Sequence, residues 1–281
     1  MSDIVELFGL DTEGSHPVGW RRIVTRQSCP YLQKTCIKTQ KSEPSVAIGT
    51  CTVRYGAELR PIVICPHRLL ERKQVFTDCL HLLSLHEPGN ELHVVSEVHV
   101  PGGSVDYVLV SSRNGRVADF VAIELQTIDT TGTVWPARQR FLQSQGLRTK
   151  RDDADSAKAF GMNWKMTAKT TLIQLHHKIA TFEGFAKHLV LVIQDELLLY
   201  MRREFAFSHL AQARLGDPMH FHAYALTKSK SGHRLVLVER MSTDANGIAS
   251  CMGLQASQDV ALEEIVRTLE AKMSPATLLT I

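Results

Sequence analysis

No apolar run in the chain approaches the roughly 18 to 20 residues that a membrane helix needs; the longest, within HLVLVIQ and PIVIC, are strand-sized. No membrane partner is expected. The start, MSDIVELFGLDTEG, is acidic and has no basic segment leading into an apolar one, so no secretory signal is expected and a cytoplasmic location is. There is no internal repeat, no low-complexity tract and little excess of either charge: 32 Lys and Arg against 29 Asp and Glu leave +3. That balance permits nucleic-acid binding without demanding it. CxxC pairs are also absent, although the chain has six cysteines, which in a cytoplasmic protein read as thiols or metal ligands before disulfides. What is present is an ordinary globular composition, 44% hydrophobic and 22% charged over 281 residues, long enough to bury a substantial core.

Cys29, Cys36, Cys51, Cys65 and Cys79 crowd together, while Cys251 stands alone. In ERKQVFTDCLHLLSL, Val75, Phe76, Cys79, Leu80 and Leu83 recur at helical spacing, which assigns Cys79 to a buried helix face as a small apolar side chain. The segment SCPYLQKTC supplies Cys29 and Cys36 from a loop. The apolar stretches on either side of RYGAEL fold back as a hairpin and bring Cys51 and Cys65 together as cross-strand neighbours. Four thiolates converging on one point hold zinc or iron tetrahedrally and leave no open position for chemistry, so such a site is structural. Four unrelated core or surface thiols are the alternative.

Further on, ELHVVSEVHV, SVDYVLVSS and RVADFVAIELQ are β-branched stretches separated by the turn signals PGG and RNG, a meander of three antiparallel strands. Alternation puts Val121, Ile123 and Leu125 on one apolar face of the third strand, and Phe120, Ala122, Glu124 and Gln126 on the other. Whether Asp106 joins Glu124 depends on the turn. A two-residue Asn114-Gly115 loop sets Asp106 opposite Ile123, whereas a three- or five-residue loop sets it beside Glu124; the expectation is a loop of odd length. A Gly-Gly or PGGS loop before it adds Glu97 to the same face as a third acid. Paired carboxylates repel, and Mg2+ is the usual means of keeping both ionised. Held by Asp106, Glu124 and waters, it activates water against a phosphodiester, and Gln126 can hold that water but cannot take its proton. A strand face turned to solvent is the bland alternative.

The order Asp, short turn, Glu-x-Gln resembles the PD-(D/E)xK nuclease core, with VDYVLV in place of the Pro-Asp strand and ELQ in place of Glu-x-Lys. Together with CPYLQKTC, GTCTV and VICPHR upstream, and IELQTIDTTGTVWP and MNWKMTAKTTLIQLHHKI downstream, the chain resembles the NotI type of type II restriction endonuclease from about Gly19 to about Glu196. The resemblance implies an α/β (α+β) fold, a mixed sheet flanked by helices, with a tetracysteine metal region (residues 1–70, iron in the family) preceding the nuclease core (71–281). It implies a homodimer that cuts palindromic, GC-rich double-stranded DNA with magnesium. Asp106 and Glu124 would be the metal ligands and Gln126 would stand in the lysine position; Glu97 joins the catalytic candidates on the strand register alone. A metal-stabilised protein that binds DNA without cutting it, and a nuclease acting on another nucleic acid, stay open as alternatives.

Residues 127–161 read as a long excursion with one short helix. It holds Arg138, Arg140, Arg148, Lys150 and Arg151, a basic cluster suited to phosphate contacts. From an Asn163 N-cap to about Phe182, Met166, Leu172, Ile173, Ile179 and Phe182 predict a helix, on which Lys165 and Lys169 lie one turn apart and can face the cleft and its DNA. KHLVLVIQDELLLYM predicts a buried strand, MHFHAYALT and HRLVLVERM two more, and SQDVALEEIVRTLEAKM a final amphipathic helix. His220 and His222 alternate on one strand face and, without a third ligand nearby in sequence, are read as surface histidines.

Overall fold

β-Branched stretches account for most of the regular structure in the computed structural model, which describes residues 2–14, 18–156, 158–229, 232–253, 266–267 and 270–272. The N-terminal part contains β1 (Ile4–Leu7), β2 (Leu10–Asp11), α1 (Trp20–Arg26), β3 (Ser28–Cys29), β4 (Lys34–Thr35), β5 (Thr39–Gln40), β6 (Glu43–Ala47), β7 (Thr50–Tyr55) and β8 (Arg60–Val63). β1, β2, β7 and β8 form one sheet in the order β2-β1-β7-β8. The β7–β8 hairpin is the one expected around RYGAEL, with Thr52 opposite Val63 and the Ile64 N–H donating to Cys51 O at 3.0 Å.

The single helix expected across Val75–Leu83 does not form. α2 (Gln74–Thr77) ends after one turn and Leu80–Leu82 follows as a 3-10 turn, while upstream the left-handed Arg72 and Lys73 (φ 52° and 57°) separate α2 from the 3-10 run at Pro66–Lys73. Cys79 is nonetheless fully buried, as a core thiol should be.

The rest of the chain contributes β9 (Glu91–Val100), β10 (Gly103–Arg113), β11 (Arg116–Gln126), β12 (Thr130–Gly132), α3 (Trp135–Ser144), α4 (Arg151–Ala154), β13 (Phe160–Met162), α5 (Trp164–Gly184), β14 (His188–Gln194), α6 (Asp195–Glu204), β15 (Ala211–Gln212), β16 (Met219–Ser229), β17 (Gly232–Thr243) and α7 (Ala245–Cys251). Seven strands make a mixed sheet in the order β15-β17-β16-β14-β11-β10-β9; β14 is parallel to both β11 and β16, and the remaining pairs are antiparallel. The parallel pairs need crossovers, which α5 and α6 provide. The apolar stretch after Lys187 is therefore strand only as far as Gln194: DELLLYM opens with acids suited to a helix N-terminus and turns into α6. The expected C-terminal amphipathic helix lies mostly outside the described residues.

Both faces of the sheet are covered. Ile123, Leu125, Val190, Val192 and Tyr224 pack on one side against Leu69, Val75, Cys79 and Leu82 of the segment after β8. Ala122, Leu189, Leu191 and Phe221 pack on the other against Leu172, Leu175 and Ile179 of α5, in a cluster that runs on through Ile4, Val53 and Ile62 of the N-terminal sheet. Each such side chain, fully buried, contributes about 1.5–3 kcal/mol. The buried stripe of α5 is Ala168, Leu172, Leu175, Ile179 and Phe182; Met166 and Ile173, expected in it, are exposed.

Candidate active site

The meander sets the site, by a route the loop lengths alone do not give. Arg113 pairs with Arg116, so the β10–β11 loop is the two-residue Asn114-Gly115 turn, with both residues at positive φ (52° and 73°) as a tight hairpin turn requires. The expectation of an odd-length loop was wrong. That turn alone would face Asp106 away from Glu124, but the register slips one place between Ser112↔Val117 and Ser111↔Asp119, a bulge that leaves Ala118 unpaired. Beyond it the ladder runs to Tyr107↔Ile123, which brings Asp106 level with Glu124, and Asp106 Oδ2 accepts from the Leu125 N–H at 2.8 Å.

The β9–β10 turn is Pro101-Gly102, since Val100 pairs with Gly103, and not the PGGS or Gly-Gly loop expected. Pairs on either side put Glu97 level with Asp106, yet its backbone is left-handed (φ 55°) and its side chain is exposed. Glu97 does not border the cavity of about 130 Å³ that Asp106, Glu124 and Gln126 share with Thr171, Gln174 and Lys178.

Within that cavity, burial pushes the Glu124 carboxyl up to about 7; Lys178 works against the rise, and the neighbouring Asp106, within hydrogen-bonding reach, adds to it. Lys178 Nζ lies 2.5 Å from Glu124 Oε1, with side-chain exposures of 8% and 15%. Gln126 Nε2 donates to Thr127 O at 2.7 Å, which leaves its Oε1 as an acceptor. The two carboxylates, side by side, supply hard oxygen donors of the kind magnesium takes. Lys178 escaped the sequence reading. Its signal was a charged residue three places after Leu175 and next to Ile179, on a stripe where only a paired lysine is tolerated.

Cys29, Cys36, Cys51 and Cys65 line a single cavity of about 10 Å³, with Lys38 and His67 at its wall. The Cys51 Sγ donates to Gly49 O at 3.5 Å; the neighbouring Cys51 thiol and Lys38 push Cys65 down, and Cys65 and burial push Cys51 up. Four sulfurs beside a cation suit a thiophilic metal as a donor set. Among the described residues no group of three or more His, Cys, Asp or Glu side chains is already drawn to metal-holding positions. His67 borders the thiol cavity; burial and Lys34 push its imidazole down, and the Asp106 carboxylate opposes them.

The basic residues sort unevenly. Arg138 is 2% exposed; its Nε donates to Ile48 O at 2.6 Å and its guanidinium lies over the Trp135 ring. It braces the loop after β6 and is not presented to a phosphate. Arg140 is exposed beside Asp3. Lys165 and Lys169 are exposed, but at about 100° per residue they fall on the side of α5 away from Thr171, Gln174 and Lys178, so they do not face the cleft. His220 and His222 are 1% and 0% exposed, not surface residues, because the segment after β8 covers their face of the sheet. His222 sits 3.8 Å from Cys79 Sγ.

A family model, "Restriction endonuclease NotI", matches residues 21–235, which makes the class of protein a site-specific DNA endonuclease, with DNA as its partner. The chain belongs to the NotI family of restriction endonucleases. No curated protein matches it. Among the described residues no helix is long and apolar enough to cross a membrane.

Proposed function

We propose that this endonuclease cuts double-stranded DNA at a short, palindromic, GC-rich sequence with Mg2+, and that Asp106, Glu124 and Gln126 form its reactive centre. The observation that carries the reading is the pairing of Asp106 with Glu124 across β10 and β11 beside Gln126. When bound, magnesium supplies a polarised water and a counter-charge for the phosphate. Asp106 and Glu124 would hold the ion. The Leu125 N–H fixes the Asp106 carboxylate, and Gln126, its amide nitrogen spent on Thr127, offers Oε1 to accept a hydrogen bond from the attacking water. Glu97, outside the cavity, stands as an outer acid that DNA can approach.

In the same reading Cys29, Cys36, Cys51 and Cys65 bind iron or zinc and brace residues 1–70 against the nuclease body (71–281). Two copies read the two halves of a palindrome. The edge strand β9 supports such pairing: it leaves Leu92, Val94 and Val95 exposed, an apolar edge of the kind a second copy covers. Digestion of bacteriophage DNA by the purified protein with magnesium, followed by sequencing of the fragment ends, tests the whole. Discrete ends with one shared sequence are expected from the wild type and none from Glu124→Ala; intact DNA from both proteins, folded and metal-loaded, would overturn it.

A further inference from the structure

Where Glu-x-Lys nucleases carry lysine, this chain has Gln126, and an amide brings no net charge to a phosphodiester. Hydrolysis joins the oxygen of water to phosphorus and breaks one P–O bond to a sugar. One water proton ends on the departing sugar oxygen, the other passes to solvent, and charge spreads over the phosphoryl oxygens in between. A fixed cation beside that centre stabilises it. We propose that Lys178 of α5 is this cation, a catalytic residue delivered from a helix to do what the motif lysine does from a strand. The inference rests on the nuclease reading above.

Three observations carry it. Lys178 lines the same cavity as Asp106, Glu124 and Gln126, which puts its side chain beside the reactive centre proposed above. It bonds Glu124 Oε1, while Asp106 Oδ2 is held by the Leu125 N–H, so the lysine is bonded to one of the pair's four carboxylate oxygens. Its seat is also built: Gly102 (φ 91°) lies where a Cβ would come within 2.3 Å of His177 O, and a Cβ on Gly103 would lie 3.3 Å from Lys178 Cε. The Pro101-Gly102 turn therefore presses directly on the turn of α5 that carries Lys178, and Thr181 Oγ1 reaches Pro101 O at 3.5 Å. Stability alone does not explain the pair, because a buried ion pair is commonly no better than two apolar residues of similar volume.

The test compares wild type, Glu124→Ala, Lys178→Met and the double variant Lys178→Met/Gln126→Lys, all as the full chain, on bacteriophage DNA with magnesium. Lys178→Met is expected to cut at least about a hundredfold more slowly, through kcat rather than KM. It should still bind DNA in calcium, and its affinity for Mn2+ by calorimetry should equal or exceed that of wild type, since a positive charge near the ion has been removed. Gln126→Lys in that background should recover at least about tenfold. Cleavage by Lys178→Met at the wild-type rate overturns the proposal. So does loss of Mn2+ binding together with cleavage, which makes Lys178 a mere support for Glu124, and so does a double variant as slow as the single one. Should Lys178→Met not fold, Lys178→Arg and Lys178→Gln replace it: Arg is expected to cut and Gln not to, and equal rates overturn the proposal. Wild type and Glu124→Ala both leaving DNA intact would instead bring down the nuclease reading itself.

Discussion

The carboxylate cleft and the thiol cavity are built alike and enclosed differently. Each gathers donors from separate stretches of chain: Asp106 and Glu124 from neighbouring strands, and Cys29, Cys36, Cys51 and Cys65 from the β3–β4 pair and the β7–β8 hairpin with the residues just after β4 and β8. Yet the acids border about 130 Å³ and the thiols about 10 Å³. A space of the second size has room for about one water molecule. The first admits part of a substrate, so donors there are available for reaction, while donors in the second can only hold. Loss of a donor should accordingly cost turnover in one region and folding in the other.

The sharpest break of that comparison is Glu124→Gln. Cleavage is expected to fall by at least about a thousandfold while the melting temperature changes little, because the amide keeps an oxygen to accept from the buried Lys178 ammonium, which an alanine would leave unpaired; an equal loss of stability in thermal melts would erase the distinction. Cys65→Ser should do the reverse. Purified wild type is expected to carry iron or zinc by elemental analysis, and the variant to lose the metal and to melt at a distinctly lower temperature, metal binding being linked to folding. Gly102→Ala falls between the two regions in kind. Left-handed backbone costs an alanine about 1–3 kcal/mol, and the clash with His177 O adds to it, so both the urea midpoint and the cleavage rate should drop. Gly89→Ala, at a φ of 92° with open space around its Cα, should show only the backbone part.

The smallest effect belongs to neither site. Burial pushes His220 down to about 4 and His222 down to about 3. Below the ordinary imidazole value the unfolded chain takes up protons that the folded one refuses, so stability is fully present above about pH 6.5 and is lost as pH falls. Each histidine contributes about 1.4 kcal/mol per pH unit to that slope. His222→Gln should flatten the acid limb of stability, followed by urea titration, without altering cleavage at neutral pH.

What could be read from the letters follows from the range of each interaction. Strand alternation placed Glu124 and Gln126 on one face and Val121, Ile123 and Leu125 on the other, and the sheet keeps both sets. The partnership of Asp106 with Glu124 follows from the letters only by an odd-length loop that does not exist; the bulge at Ala118 that creates it leaves no mark in composition. Arg138 was misjudged because its partners, the carbonyls of Ala47 and Ile48, lie some ninety positions away. His220 and His222 were misjudged for a related reason: the cover over their face comes from the segment that precedes the meander. Lys178 lay between these cases. Helical spacing put it on the buried stripe, but only the packing of α5 on the Pro101-Gly102 turn decides which carboxylate it meets.

The bulge at Ala118 and the Asn114-Gly115 turn act as a compensating pair. A one-residue insertion in the turn inverts the face of every residue beyond it, and loss of the bulge residue inverts it back. In other chains of this family, a longer β10–β11 loop should therefore be found with a regular β11 and a two-residue loop with a bulged one. Either change inherited alone would turn the glutamate into the core.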